Sequence, residues 1–179
     1  TIALNDASYT LEYAQSVGDV FGKTYTSGKI ELLGTLVGQD GNTLTLDQVE
    51  NIASDVSLNT VTVTSENRAL QIGGDTPSDE NTAYRENGLT VGSLELGSAN
   101  QVTVTGGETL GLVGNGDQLI STTTSDDLSV TINSSSTLSL GGTNSQGGVL
   151  SGTVTVGDGS KVVVTGGSTF EITTLKGTG

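Results

Sequence analysis

The chain has 179 residues, a formal charge of −14 from 6 basic and 20 acidic side chains, and no Cys, His, Met or Trp. That composition excludes a disulfide framework, the usual zinc sites, a thiol nucleophile and any Ser–His or Cys–His catalytic pair. It offers no basic surface on which nucleic acid would exchange its counterions, and no apolar run nears the roughly 18 residues that a bilayer-crossing helix needs.

The apolar residues, 32 % of the chain, are not scattered as in an acidic disordered segment. They come in short bursts of Val, Ile and Leu alternating with Thr and Ser, the period-2 signature of strands. The length fits one domain or one segment of a longer repetitive protein. Beginning at Thr1, with neither an initiator Met nor a signal peptide, the chain reads as a mature or excised piece. Its Thr, Ser, Gly, Asn and Asp richness without Cys is the usage common in secreted and surface proteins of bacteria.

Residues 1–28 lack a regular pattern and are expected to form a cap or irregular segment, with 7–16 as a strand or a short helix. A cap would cover the strand edges that an open solenoid end exposes. Residues 29–90 read as less regular coils, with strands at 29–37, 42–46, 56–64 and 69–72. Between them, 47–54 places Val49, Ile52 and Ala53 on one side of two helical turns. Residues 75–88 carry the only Pro and a high charge density, and are expected to protrude as an exposed loop between coils.

Residues 91–179 hold only 7 acids, 2 bases and one aromatic, Phe170, and they repeat. Shifted by 60, residues 92–113 lie on 152–173 without a gap: Leu94 on Val154, Leu96 on Val156, Val102 on Val162, Val104 on Val164, Gly106-Gly107 on Gly166-Gly167, Leu110 on Phe170 and Leu112 on Ile172. A third, imperfect copy puts Val130 and Ile132 where Leu94 and Leu96 stand, and Leu138 and Leu140 where Val102 and Val104 stand. Apolar positions keep their character while polar ones drift, as in a structural repeat whose inward side chains alone are constrained. Each burst is an in–out–in triplet such as Val102-Thr103-Val104. Three short strands per coil, with coils stacked about 4.8 Å apart, account for both the spacing and the repeat. The fold class expected is all-β, a right-handed parallel β-helix (β-solenoid) with an irregular N-terminal cap or loop-bearing region, and Gly pairs at corners that need φ > 0.

Candidate sites are few. Asp40-Gly41-Asn42, Asp126-Asp127, Asp158-Gly159 and Gly114-Asn115-Gly116-Asp117 offer oxygen ligands for Ca²⁺, but Asp-Gly and Gly-Asn are turn dipeptides in their own right. A β-helical polysaccharide lyase or hydrolase needs paired carboxylates, or an acid with a base. Lys161 and Lys176 are the only bases of the second half, and the charged residues Glu66, Arg68, Asp79, Glu80, Arg85 and Glu86 of the first half read as solvated surface. Outward Thr at Thr60, Thr62, Thr64, Thr103 and Thr105 suits either an ice-binding ladder or the ordinary covering of a strand face. Asn133-Ser134-Ser135 is a single glycosylation sequon. The sequence therefore assigns no catalytic, cofactor-binding or metal residue and no cofactor.

The phrases Val-Thr-Val-Thr-Gly-Gly at 102–107 and Gly-Thr-Val-Thr-Val-Gly-Asp-Gly-Ser at 152–160 resemble the passenger domains of Gram-negative autotransporter adhesins and related filamentous surface proteins. The resemblance extends over roughly 88–179, more faintly over 29–74, and implies an extracellular β-helix that projects a binding surface from a bacterial cell. The expected role is non-enzymatic: adhesion or self-association by a rod that displays polar faces and loops. Its partners would be a host surface protein, a glycan or sister molecules, without nucleic acid and without membrane insertion by this segment. A phage tail fibre or spike, a surface-layer or filament subunit, and a carbohydrate-active β-helix enzyme are the alternatives.

Overall fold

A computed structural model describes the backbone of the strands between Ile2 and Val63 and of residues 69–75, 82–85 and 88–177, with side chains at 69–75, 82, 84–85 and 88–177. The described residues contain strands and no helix. In chain order the strands are β1 (Ile2–Leu4), β2 (Ser8–Leu11), β3 (Asp19–Val20), β4 (Lys23–Thr24), β5 (Ile30–Leu32), β6 (Leu36–Gly38), β7 (Thr43–Leu46), β8 (Val49–Ile52), β9 (Val56–Val63) and β10 (Ala69–Ile72). They continue with β11 (Thr82–Arg85), β12 (Leu89–Glu95), β13 (Gln101–Val104), β14 (Thr109–Leu112), β15 (Ile120–Ser121), β16 (Ser129–Ile132), β17 (Thr137–Gly141), β18 (Gly148–Val156), β19 (Lys161–Thr165) and β20 (Phe170–Gly177).

Among the described residues, every strand pairing except the antiparallel pair β3–β4 is parallel, and apart from β10–β11, which pairs strands consecutive in the chain, each joins strands a coil apart. One sheet runs β1-β6-β9-β12-β14-β17-β19, with β7 and then β2 on β9 and with β15 on β12; the other runs β5-β8-β11-β10-β13-β16-β18-β20. The chain is a parallel β-solenoid of about four turns. Its long strands bend around corners: β12 meets β14 through Leu89, Thr90 and Val91 but β15 through Leu94 and Glu95, and β18 meets β20 on both sides of an irregularity between Leu150 and Thr153. Each regular coil therefore has three sides. The first stacks 69–72, 101–104, 129–132, 153–156 and 174–177. The second stacks 89–91, 110–112, 138–140 and 162–164.

Alternation decides which residues fill the interior. Leu70, Val102, Val130 and Val154 form one inward column, and Leu89, Leu110, Leu138 and Val162 another. Except for Val162, which is partly buried, these side chains are fully enclosed, each contributing about 1.5–3 kcal/mol of burial. Such a narrow interior suits aliphatic residues, which is why the regular coils need almost no aromatics.

The corner between the first and second sides is the most regular part. Thr105-Gly106-Gly107-Glu108, Asn133-Ser134-Ser135-Ser136 and Gly157-Asp158-Gly159-Ser160 stack on one another through Asn133 N–H to Val104 O at 2.9 Å and Gly157 N–H to Ile132 O at 2.7 Å. A serine rung runs beside them: Gly107 N–H donates to Ser136 Oγ at 3.1 Å, and Ser136 N–H donates to Ser160 Oγ at 3.2 Å. Ser136 is fully buried, and its hydroxyl is satisfied by accepting the Gly107 N–H of the coil below.

Three expectations change. The 60-residue alignment is real in chemistry but not in space: Val102 stacks on Val130 and Val154 of the first side, whereas Val162 belongs to the second side, above Leu138 and Leu110. The third copy is displaced by one side in the same way. Every side uses the same in–out–in triplet followed by a turn, so the repeating unit is one side, and an offset in sequence does not reveal which side a triplet occupies. Residues 47–54 contain strand β8, not helical turns. Its pairing with β5 is irregular after Ile30, so that Val49 faces Ile30 while Ile52 faces Leu32, and this bulge produces the three-residue apolar spacing that imitates a helix. Residues 75–88 are not wholly a protruding loop: 82–85 is strand β11, inserted out of chain order between β8 and β10, with Tyr84 and Arg85 buried. In segment 1–28, β1 and β2 join the first parallel sheet, so at Ser8–Leu11 the strand alternative is the one adopted, while the rest of 7–16 lies outside the described residues.

Candidate functional site

Sorting the outward residues by register gives a flat polar face on the first side. One row is Gln71, Thr103, Thr131, Thr155 and Lys176; the adjacent row is Gln101, Ser129, Thr153 and Thr174. Strand spacing separates neighbours within a row by about 4.8 Å, and two residues along the strand separate the rows by about 6.7 Å. The threonines are half-buried by one another, and Gln101 and Lys176 are exposed. A Thr side chain is stiff at χ1, so each rung offers a hydroxyl and a methyl group in a repeated orientation. Such a face hydrogen-bonds well to a partner that is itself flat and hydroxyl- or amide-rich.

The expected Thr elements do not all lie here. Thr103 does. Thr60 and Thr62 pair with Ser93 and Glu95 across the β9–β12 ladder, away from this face. Thr105 sits in a corner, its N–H donating to Ile72 O at 2.8 Å, and Thr64 lies outside the described residues. The row Thr103–Thr131–Thr155 escapes sequence inspection because its members are unequally spaced along the chain.

That inequality comes from the corners, and it creates two grooves. The corner from third to first side spans 122–128 in one coil but only 151–152 in the next. The long corner is tied down at its root: Thr123 N–H and Oγ1 both donate to Gly97 O, at 2.6 and 2.8 Å. Its tip is built on local side-chain bonds, with Asp126 N–H donating to Thr124 Oγ1 at 2.9 Å. It overhangs the short corners to leave a groove of about 400 Å³ bordered by Thr122, Asp126, Asp127, Ser151 and Thr173. A second groove, about 590 Å³, lies on the third side, with Val149 in its lining and Glu95, Asn115, Asp117, Gln118 and Ser121 around it. The 113–118 corner beside it is fastened to the coil above by Gly116 N–H to Gly147 O at 3.0 Å and Ser145 Oγ–H to Val113 O at 2.6 Å.

The other expected residues separate. Asp126 and Asp127 share the first groove and Asp117 lines the second, but among the described residues no three acidic side chains come together. Asp158 and Gly159 form a turn closed by Ser160 N–H to Gly157 O at 3.1 Å. Asn133 begins a tight corner in which Ser134 and Ser135 hold positive φ, and its Oδ1 is buried without a hydrogen-bond partner. Arg85, expected at the surface, is fully enclosed on β11 beside Tyr84, whose hydroxyl donates to Gly74 O at 2.7 Å. Asp40, Gly41, Asn42, Glu66, Arg68, Asp79, Glu80 and Glu86 lie outside the described residues. No protein-family description, curated protein or solved structure matches this chain.

Proposed function

We propose that the chain is a non-enzymatic segment of a secreted bacterial surface protein, acting in adhesion or self-association by display on the cell surface. The supporting observation is the paired outward rows of the first side, where hydroxyl and amide groups repeat over successive coils while the aliphatic residues turn inward. The resemblance of 88–179 to adhesin passengers points the same way. A rigid face with one functional group per strand spacing binds by summing many weak contacts, which suits a host glycan, a surface protein or a sister rod. The charge of −14 disfavours attachment to anionic membranes.

Beads coated with the chain test this reading on glycan- and host-cell-coated surfaces, and against one another. Attachment or clumping that falls several-fold in the triple variant Thr103→Val, Thr131→Val, Thr155→Val supports it, because Val keeps the shape and strand preference while removing the hydroxyls. Equal attachment by the variant, or none by the parent, removes the basis for display by this face. The grooves favour a second reading, capture of a glycan strand beside Glu95 and Asp117; release of new reducing or unsaturated ends from acidic polysaccharides would convert that reading into an enzymatic one.

A further inference from the structure

Charge is not spread evenly around the coils. Of the 7 acids in 91–179, Glu108 and Asp158 lie in the corner between the first and second sides. The other five belong to the third side and its two corners. Glu95 pairs with Ser121 and Glu171 with Val149, while Asp117 and Asp126-Asp127 stand in the corners that enter and leave that side. All five are exposed. Both bases of the same stretch are elsewhere, Lys161 on the second side and Lys176 on the first.

The two grooves adjoin across this acidic side. Ser121 borders the larger and the next residue, Thr122, the smaller; on the coil above, Val149 borders the larger and Ser151 the smaller. What stands between them is low, because Ile120 and Leu150 turn inward and are buried. Residues 118–122 cross the side in about 13 Å at strand rise, so the joined grooves form a trough suited to an elongated ligand. Their volumes, about 590 and 400 Å³, both fall in the range of ligand-holding clefts. The described lining offers carboxylates, amides and hydroxyls, and it contains no Lys, Arg or aromatic ring.

That lining specifies the ligand. Asp117, Asp126 and Asp127 disfavour polyanions and attract cationic groups, while Asn115, Gln118, Thr122 and Ser151 suit hydroxyls. A basic peptide is the weaker match. The floor is already hydrogen-bonded on both edges, Leu94 N–H to Leu119 O at 2.8 Å and Leu119 N–H to Val149 O at 2.8 Å, so it leaves no edge for an added strand. In the described lining only Val149 and Leu128 are aliphatic, too few to anchor peptide side chains. We infer that the third side with its two corners is a single trough for an extended glycan of amino sugars, whose ammonium groups meet Asp117 at one end and Asp126-Asp127 at the other. The inference deepens the glycan arm of the proposed function and rests on it, and it places this contact away from Thr103, Thr131 and Thr155.

Titration calorimetry of the full chain with a hexamer of β-1,4-linked glucosamine tests the trough, in a mildly acidic buffer of low salt that keeps the sugar amines protonated. The hexamer should bind. The glucosamine dimer, the fully N-acetylated hexamer and an oligomer of galacturonic acid should each bind about tenfold more weakly or not at all. The pair Asp126→Asn, Asp127→Asn, and separately Asp117→Asn, should each weaken hexamer binding about fivefold or more. Their circular dichroism should stay unchanged, since all three side chains are exposed. The pair Glu108→Gln, Asp158→Asn removes as many carboxylates from the corner between the first and second sides and should bind like the parent. No hexamer binding, equal binding of the dimer, of the acetylated hexamer or of a hexalysine peptide, an aspartate variant that binds like the parent, or equal losses in the two double variants would each overturn the inference. The triple variant Thr103→Val, Thr131→Val, Thr155→Val keeps the trough and should bind the hexamer like the parent; a loss there would overturn the trough as well. Its attachment to coated surfaces therefore reports on display by the hydroxyl face separately from glycan capture.

Discussion

Gly141 and Gly107 both hold positive φ, 99° and 81°, and either residue looks replaceable from its place in a Gly pair. They differ in what lies beside them. A Cβ on Gly141 would overlap the carbonyl oxygen of Thr165 on the next coil, whereas one on Gly107 would meet nothing within 4 Å. Gly107→Ala therefore carries only left-handed strain, about 1–2 kcal/mol. Gly141→Ala adds a steric conflict with the ladder, for a total of about 3 kcal/mol or more. Urea titrations should show the larger fall in midpoint for Gly141→Ala with an unchanged slope; equal losses would mean that coil-to-coil approach is not what fixes this glycine. At this scale the sequence is informative where residue type and conformation coincide, as at Gly106-Gly107. It is silent where they part: Ser134 and Ser135 take the left-handed conformation with φ of 53° and 63°. Ser136, the buried acceptor of the corner, looks like one more member of a serine run.

Among the elements, the strands between 29 and 72 follow the alternation of their side chains, and the errors arise where geometry breaks the alternation. The bulge against β5 gives β8 a helical spacing. Strand β11 hides in a charged segment because only Thr82 and Tyr84 mark its period, and because pairing out of chain order has no sequence signature. The 122–128 corner is a different case: only Asp126-Asp127 stands out in its sequence, as oxygen ligands, and its excess length over the corner above is visible only after the coils are aligned. That corner hangs on Thr122, Thr123 and Leu128, with 124–126 bonded to little beyond itself. Deleting 124–126 should leave the circular dichroism spectrum unchanged and shift unfolding free energy by less than about 1 kcal/mol. It should also remove the smaller groove, so any ligand held there is lost without loss of fold. A cooperative collapse of stability in the deletion chain would instead show that the corner fastens the coils together.

Across the whole molecule, stacking makes stability close to one-dimensional: each coil is held by the coils on either side, and an end coil by one neighbour only. The inward columns through Val130, Ile132, Leu138 and Leu140 are covered above and below, whereas Val164 and Leu175 are open on the outer side. At the burial energies of aliphatic side chains, several half-covered residues in one coil amount to about 3 kcal/mol of missing stabilisation. Opening should therefore begin at 161–177 and reach 129–140 only in global unfolding. Hydrogen exchange on dilute monomer should find amides of 129–140 protected on the order of a hundredfold more than those of 161–177. Uniform protection in the dilute chain would mean that the solenoid opens as one unit and that the exposed end is not its weak point.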